Sequence, residues 1–221
     1  FEGPIVIGGA AVGISGAEML NYFDLSLAIQ GDGERAIVEL TARLEKNQPL
    51  NNLGGLILRQ NGKIVEENPP LPVTDMNALP LIKFDRYLDV RRYRKYNSPL
   101  QIQTKRGCAL KCVYCTYNRL EGKIYRFKDP QRVADEVETL VKETGIRHIE
   151  FTDSTFNIPL EHAKAVLRAL AAKGLHLRCR ALGLNPSAVD EELVKLMQRV
   201  GFQDVDLGVE SGCNQTLKSL G

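Results

Sequence analysis

Apolar positions in the first part of the chain alternate between strand-like runs and helical spacing. Residues 5–7, 25–29 and 53–58 are short apolar runs that predict buried strands, and the apolar residues of 33–47 recur every three or four positions, which predicts a helix. Asn61-Gly62 follows the last of these runs and is a hairpin signal. This part of the chain is therefore expected to be an α/β layer too short to form a complete doubly wound domain.

The second half has a more regular pattern of strands and helices. Asp129-Pro130 is an N-cap followed by a proline in the first helical turn, and Gly145, Gly174 and Gly201 each end a helical pattern. We predict helices over residues 130–144, 160–173 and 189–200, and strands over residues 100–105, 146–151, 175–182 and 205–209. Strands alternating with helices imply parallel crossovers, either in a partial (β/α) barrel or in an open sheet. In both architectures the functional residues lie at the carboxyl ends of the strands.

A proline-rich segment separates the two halves. Residues 68–99 contain Pro69, Pro70, Pro72, Pro80 and Pro99 with scattered apolar residues, as is typical of a linker. The predicted organisation is an α/β domain over residues 1–67, a linker over 68–99 and a second domain over 100–221. Because the chain opens on Phe1 with an apolar run directly behind it, and because a strand at 205–209 would be left with an open edge, we expect a fragment cut at both ends.

Composition narrows the possible classes of protein. The 221 residues include 29 Lys+Arg and 27 Asp+Glu, giving a net charge of +2, and 43% are hydrophobic, which excludes a disordered chain. No uncharged stretch reaches the roughly 18–20 residues of a membrane span. The near-neutral balance gives no general attraction to nucleic acid, and the basic, tyrosine-containing segment 87–96 is expected to be a solvated face of the linker. We expect a cytoplasmic protein without a nucleic-acid partner.

Three of the five cysteines lie within eight residues. Cys108, Cys112 and Cys115 have the spacing C-x3-C-x2-C directly after the first predicted strand of the second half. Three thiolates on one loop can hold a 4Fe-4S cluster and leave one iron open for chemistry. A zinc site or an electron-carrying cluster is the alternative, but each usually takes four protein ligands. An odd cysteine count without an export signal also favours a reducing compartment.

The sequence from Lys105 to Cys115, KRGCALKCVYC, resembles the C-x3-C-x-aromatic-C loop of the radical S-adenosylmethionine (radical SAM) enzymes. The resemblance covers roughly residues 99–221. It implies a 4Fe-4S cluster on Cys108, Cys112 and Cys115, with the amino and carboxylate groups of S-adenosylmethionine on the fourth iron. Reductive cleavage would release a 5′-deoxyadenosyl radical that acts on a small-molecule substrate, with an electron donor such as flavodoxin or ferredoxin as partner.

The resemblance also implies further contacts to S-adenosylmethionine. Tyr114 takes the family's aromatic position beside the adenine. Asp153, in FTDSTFN, follows the second strand of this half, although the Gly-Gly-Glu form of many members is absent. Arg180 could meet the cofactor carboxylate. Glu210 and Ser211 lie in GVESG, a segment common in the subgroup with a cobalamin domain, and Glu210 is the strongest of these candidates.

The amino-terminal half resembles the closing part of a Rossmann-like cobalamin-binding domain. The resemblance rests on glycines after two predicted strands, namely Gly8, Gly9, Gly31 and Gly33, which would let a flat ligand approach the backbone. A D-x-H-x-x-G segment, whose histidine can coordinate cobalt in some relatives, does not occur in the sequence. The alternative interpretation is that these glycines are ordinary turn residues.

The resulting hypothesis is a cobalamin-dependent radical SAM enzyme, with methyl transfer as one candidate reaction. A methylthiotransferase and a cobalamin-free radical SAM enzyme are alternatives within the family. An iron-sulfur electron carrier and a zinc-stabilised binding module are alternatives from other classes.

Overall fold

The computed structural model describes residues 3–220, so Phe1, Glu2 and Gly221 lie outside the described part of the chain. The described residues form two compact units. The first unit runs to Thr74 and includes the later segment Ala109–Lys123; the second contains Asp75–Cys108 and the residues from Ile124 onward. Within residues 3–220, no helix is both long and apolar enough to cross a membrane.

The first unit contains a four-stranded sheet and three helices. Its elements, numbered along the whole chain, are β1 (Val6–Ile7), α1 (Val12–Phe23), β2 (Leu27–Ile29), α2 (Gly33–Glu45), β3 (Leu56–Gln60), β4 (Lys63–Glu67) and α5 (Tyr117–Leu120). The sheet order is β1-β2-β3-β4; β1 and β2 are parallel, and the other two pairs are antiparallel. The β1-α1-β2 unit is the crossover expected of a Rossmann-like fold.

Apolar side chains on alternating strand positions cover both faces of this sheet. Leu27 and Ile29 pack with buried residues of α2, whereas Ala28, between them, packs with Val12 and Leu20 of α1. The two helices therefore cover opposite faces, because successive side chains of a strand point in opposite directions. The hairpin at Asn61-Gly62 is confirmed: both residues have positive φ, 48° and 77°, as a tight two-residue hairpin turn requires.

The second unit is built around a parallel sheet. Its elements are α3 (Phe84–Tyr87), α4 (Val90–Lys95), β5 (Leu100–Ile102), β6 (Lys105–Arg106), β7 (Arg126–Phe127), α6 (Pro130–Thr144), β8 (His148–Phe151), α7 (Leu160–Lys173), β9 (Arg178–Ala181), α8 (Glu191–Val200) and α9 (Asn214–Leu220). The strand order is β5-β8-β9, with both pairs parallel, and β6 and β7 form a separate antiparallel ribbon. Single 3₁₀ turns occupy Met76–Ala78 and Pro186–Ala188.

The predicted helix boundaries of this unit follow from their caps. The Asp129 side chain accepts hydrogen bonds from the backbone N–H groups of Gln131 and Arg132, at 2.8 and 3.2 Å, and Pro130 begins α6. Gly145 ends the same helix in the left-handed conformation. Gly201 ends α8 with φ of 111°, and a Cβ there would lie 1.9 Å from the Leu177 carbonyl oxygen, so only glycine fits.

The predicted strand at 205–209 is much reduced in the structure. The chain after β9 contributes isolated parallel bridges, Cys179 to Phe202 and Leu184 to Leu207. Val205, Leu207 and Val209 have about half of their surface exposed, so the alternating apolar pattern is present without the burial that usually accompanies it. Beyond β9 the sheet is therefore extended by single bridges and not by a complete fourth strand.

Two edges of this sheet are referred to below. The carboxyl edge comprises the residues that follow β5, β8 and β9, namely 103–108, 152–157 and 182–185. The amino edge comprises the residues that precede the same strands or begin them, namely 97–99, 145–148 and 176–178. The parallel arrangement brings the three members of each set to one side of the unit.

Candidate functional site

The cysteine loop begins at the carboxyl edge. Cys108 is buried and belongs to the second unit, while Cys112 and Cys115 are partly exposed and belong to the first. The backbone N–H of Cys115 donates to the Cys112 carbonyl at 3.2 Å, which makes a tight turn. All three thiols are free, although among residues 3–220 no three His, Cys, Asp or Glu side chains are gathered as a metal site. Three free thiols on one loop are the donor chemistry that an iron-sulfur cluster requires.

A buried ion pair lies immediately before this loop. The Lys105 ammonium is 3.2 Å from Oδ2 of Asp153, and the two side chains are 1% and 0% exposed. Lys105 Nζ also donates to the backbone carbonyls of Thr155 and Phe156, at 2.7 and 3.2 Å. A lysine this deeply buried is stabilised only when its charge is paired and its protons are bonded, and both conditions are met here.

The Asp153 carboxylate is bonded through both oxygens. Its Oδ1 accepts from the backbone N–H groups of Thr104 and Lys105, at 2.7 and 3.2 Å, and its Oδ2 accepts from the Thr104 hydroxyl at 2.6 Å. Ser154 then donates to the Gly107 carbonyl at 3.4 Å. The end of β8 therefore fixes the path of residues 104–107, the segment that leads into Cys108. Sequence reasoning selected Asp153 but missed Lys105, its partner 48 residues earlier.

His162 packs near this ion pair. Its ring packs against Phe127 at an interplanar angle of 45°, with centroids 4.6 Å apart. Burial, followed by the positive charge of Lys105, lowers the pKa of His162. The contact of His162 with Phe127 is a packing contact.

Arg180 has a carboxylate partner from its own sheet. Its Nε lies 3.0 Å from Glu150 Oε1, and its Nη2 lies 3.8 Å from Asp206. Glu150 is on the neighbouring strand β8, directly opposite Arg180 in the register. A carboxylate partner for Arg180 is therefore present within the chain, and a contact to a cofactor carboxylate stays a prediction.

The segment containing Glu210 and Ser211 is attached to the end of β9. The Gly208 N–H donates to the Leu184 carbonyl at 3.0 Å, and Leu184 N–H donates to the Asp206 carbonyl at 2.9 Å. Glu210 has φ of 61°, which is uncommon for a residue with a side chain. Its carboxylate is exposed and has no hydrogen-bond or ion-pair partner within the described chain. A strained backbone that presents a free carboxylate is a feature typical of ligand-binding sites.

Asn157, another polar residue of the carboxyl edge, connects two loops. It is fully buried; its amide nitrogen donates to the Asn185 and Ala188 carbonyls, and its oxygen accepts from Asn185 N–H, each at 2.8 Å. In the first unit, Tyr114 of the cysteine loop is about half exposed. The ring of Tyr114 is therefore partly accessible to solvent, whereas the amide of Asn157 forms its hydrogen bonds within the protein.

The glycines assigned to cobalamin occupy different environments within the first unit. Gly9 follows β1 with φ of 94°, and a Cβ added to it would meet no atom within 4 Å, so this strand end has the open space that a flat ligand needs. A Cβ added to Gly8, the residue before it, would lie 3.5 Å from the Ile29 carbonyl oxygen. Gly31, with φ of 76°, packs against Pro70, where a Cβ would lie 2.6 Å from that ring, and Gly33 begins α2. Gly31 is thus required by internal packing.

Comparison with known proteins identifies the family. The radical SAM superfamily profile matches residues 102–221. The chain is 29% identical to an uncharacterized methyltransferase of Pyrococcus horikoshii, over 89% of this chain and 43% of the relative, and 26% identical to the cytidylyl-2-hydroxyethylphosphonate methyltransferase of Streptomyces wedmorensis, over 99% and 46%. The chain therefore belongs to the radical SAM superfamily, and it spans less than half the length of these curated relatives.

Solved structures agree with this assignment. The radical S-adenosylmethionine methyltransferase TsrM from Kitasatospora setae, solved with tryptophan and a SAM analogue, is similar with a TM-score of 0.82 and 25% identity, over 97% of this chain and 42% of that one. The cobalamin-dependent radical enzyme OxsB shares the fold at a TM-score of 0.77 and 20% identity, over 98% and 32%. The predicted family and fold class, a Rossmann-like part followed by a partial barrel of radical SAM type, are confirmed.

Proposed function

We propose that this chain belongs to a cobalamin-dependent radical SAM enzyme that transfers a methyl group to a small-molecule substrate. The observation that carries the proposal is the C-x3-C-x2-C loop with three free thiols, in a chain of this superfamily whose fold matches a radical SAM methyltransferase over 97% of its length. Cys108, Cys112 and Cys115 would ligate a 4Fe-4S cluster. The cluster would supply a reducing electron, and S-adenosylmethionine would supply the sulfonium that is cleaved.

The protein's own residues would bind and orient the cofactors. Glu210, free and exposed in the segment that is bonded to Leu184 of the carboxyl edge, would accept hydrogen bonds from S-adenosylmethionine, with Ser211 beside it. Tyr114 would contact the adenine. Arg180 would contribute positive charge at the end of β9, shared with Glu150. Asp153 would contribute through Lys105 and Thr104, by holding the segment that leads into Cys108.

Cobalamin would be bound by the first unit. Gly8 and Gly9 would admit the flat face of the ligand, with the turn at Gly31 and Gly33 shaping the next strand end. We propose the corresponding domain division at residues 1–67, 68–99 and 100–221. A flavodoxin or ferredoxin would supply electrons, in the cytoplasm. The cobalamin and cluster assignments are supported by a relative, since a TsrM structure contains cobalamin and a [4Fe-4S] cluster.

Anaerobic reconstitution with iron and sulfide tests the cluster assignment. We expect four irons per chain and an electronic spectrum that changes when S-adenosylmethionine is added. Changing Cys112 to Ala should abolish cluster binding, whereas the matched variants Cys179→Ala and Cys213→Ala should retain it. A full cluster in Cys112→Ala, or a spectrum that S-adenosylmethionine leaves unchanged, would contradict the proposal and favour an electron carrier.

Cobalamin binding is tested separately by equilibrium dialysis with hydroxocobalamin. Gly9→Val should weaken binding, because its side chain would enter the open space at the end of β1 and strain a positive φ. Cluster binding with no cobalamin binding would favour the alternative of a cobalamin-free member or a methylthiotransferase; a putative methylthiotransferase of Methanocaldococcus jannaschii is 26% identical over 91% of this chain.

A further inference from the structure

A basic cleft opens at the amino edge of the parallel sheet. It has a volume of about 280 Å³, and its lining includes Arg94, Arg147, Arg178, His148 and His176 but no aspartate or glutamate. Arg94 belongs to α4. Arg147 and His148 lie where β8 begins, and His176 and Arg178 lie where β9 begins. The fold therefore brings together cationic side chains that are up to 84 positions apart in the sequence.

The three arginines of this basic cleft have no carboxylate partner in the described part of the chain. Within residues 3–220, none of them forms an ion pair, whereas Arg168 and Arg180 of the same unit each do. Arg147 donates a hydrogen bond to the Leu175 carbonyl, which holds its guanidinium at the rim. Like charges that converge without a counter-charge repel one another, so a bound anion would relieve a cost that the folded chain carries alone.

One histidine is fixed in the wall of the cleft. His148 Nδ1 lies 2.8 Å from the Asn97 carbonyl oxygen. Because a carbonyl oxygen only accepts, Nδ1 carries the hydrogen of this bond, and Nε2 is left as the second polar atom of the ring. Guanidinium groups around a concave surface provide several N–H donors, which match the oxygens of a phosphate group better than those of any neutral ligand.

We propose that this basic cleft binds the phosphoryl group of a small phosphate monoester. A single concave site with three guanidinium groups suits one doubly charged group, whereas nucleic acid is usually gripped by an extended stripe of cations along many phosphates. The site lies at the edge of the sheet opposite to the segment that leads into Cys108. The proposal does not depend on the cofactor assignments made above.

Binding is measured by isothermal titration calorimetry at constant ionic strength. The probes are inorganic phosphate, adenosine monophosphate and a single-stranded oligouridine without a terminal phosphate. We expect the first two to bind, and we expect the variant Arg147→Gln/Arg178→Gln to weaken both by at least about tenfold. The matched control is Arg199→Gln, which removes an exposed arginine of α8 that has no ion pair within the described chain and should leave binding unchanged.

The outcomes separate the proposal from its alternatives. Binding of the nucleotide at least as tightly as inorganic phosphate supports the proposed monoester, whereas binding of inorganic phosphate without the nucleotide would overturn the monoester in favour of free phosphate. Binding of the oligouridine alone would overturn the proposal in favour of a nucleic-acid contact. Equal losses in the double variant and the Arg199→Gln control, or no binding of any probe, would show that the cleft is an ordinary solvated surface.

Discussion

The two edges of the parallel sheet place positive charge in opposite environments. At the carboxyl edge the Lys105 ammonium is buried and paired with Asp153, and the Asp153 carboxylate also accepts from the backbone of Thr104, in the segment that leads into Cys108. In the basic cleft at the amino edge, Arg94, Arg147 and Arg178 are exposed and form no ion pair within the described residues. The comparison shows that the same residue class can hold the backbone in place at one edge and remain available for a ligand at the other.

The largest expected effect follows from breaking the buried pair. Lys105→Met leaves Asp153 buried without its cationic partner, so the variant should lose about 3–5 kcal/mol of unfolding free energy, measured by urea denaturation. The double variant Lys105→Met/Asp153→Leu should recover part of this loss, because no charge is then left unpaired.

Lys164→Met is the matched control for this prediction. Lys164 is also buried, but its partners Asp190 and Glu192 are 44% and 51% exposed, so they can be rehydrated when the lysine is lost. The Lys164→Met variant should therefore lose less unfolding free energy than Lys105→Met. Similar losses in the two variants would show that burial of the carboxylate does not distinguish the two pairs.

Cys179, in the middle of β9, should be chemically inert between the two edges. Burial raises the pKa of Cys179 from 9.0 to about 12, so at a given pH it holds about a thousandfold less thiolate than an ordinary thiol. Hydrogen bonds from Thr216, and then from Gln215, lower the pKa of the exposed Cys213. Iodoacetamide at pH 8, followed by peptide mass spectrometry, should label Cys213 and spare Cys179. Labelling of Cys179 in the folded chain would contradict this.

Glu210→Ala should weaken binding of S-adenosylmethionine while the cluster content stays the same. Loss of a charge-assisted hydrogen bond costs about 1.5–3 kcal/mol, which is about tenfold to a hundredfold in the dissociation constant. Glu191→Ala, which removes an exposed glutamate of α8, is the control. An unchanged affinity in Glu210→Ala would leave the GVESG segment as a turn that follows β9.

The smallest expected effect is the change in unfolding free energy when two arginines of the basic cleft are replaced and no phosphate is added. Arg147→Gln/Arg178→Gln should raise the unfolding free energy by less than about 1 kcal/mol at low salt, because it removes unpaired like charges, and the gain should vanish at high salt. Arg168→Gln removes an arginine that is paired with Glu192 and should change stability in the opposite direction. The same sign for both variants in thermal denaturation would refute the distinction between paired and unpaired arginines.

Structural features that depend on residues adjacent in the sequence were predictable. The N-cap at Asp129, the glycine ends of three helices and the Asn61-Gly62 turn each depend on a few adjacent positions, and the structure confirms them. Helix α1 was missed because its buried positions are Val12, Gly16 and Leu20, and one glycine among three leaves little apolar periodicity to detect.

Features that depend on distant residues were not predictable. A lysine in an extended segment is normally exposed, and only the fold shows that Asp153 compensates its burial. The basic cleft likewise joins residues that no local pattern connects. At residues 205–209 the pattern predicted a strand, but pairing with a neighbour decides whether an apolar run becomes one, and here Leu207 alone is bridged.

The hairpin of the first unit also affects how the protein behaves in solution. β4 is the last strand of its sheet, and Lys63, Glu66 and Glu67 provide charge on three of its five positions. An outer strand offers backbone groups to which a strand of another molecule could add, and charged side chains disfavour that addition. The tight turn at Asn61-Gly62 thus does more than reverse the chain: it places a charged strand where intermolecular β-sheet growth, and hence aggregation, would otherwise begin.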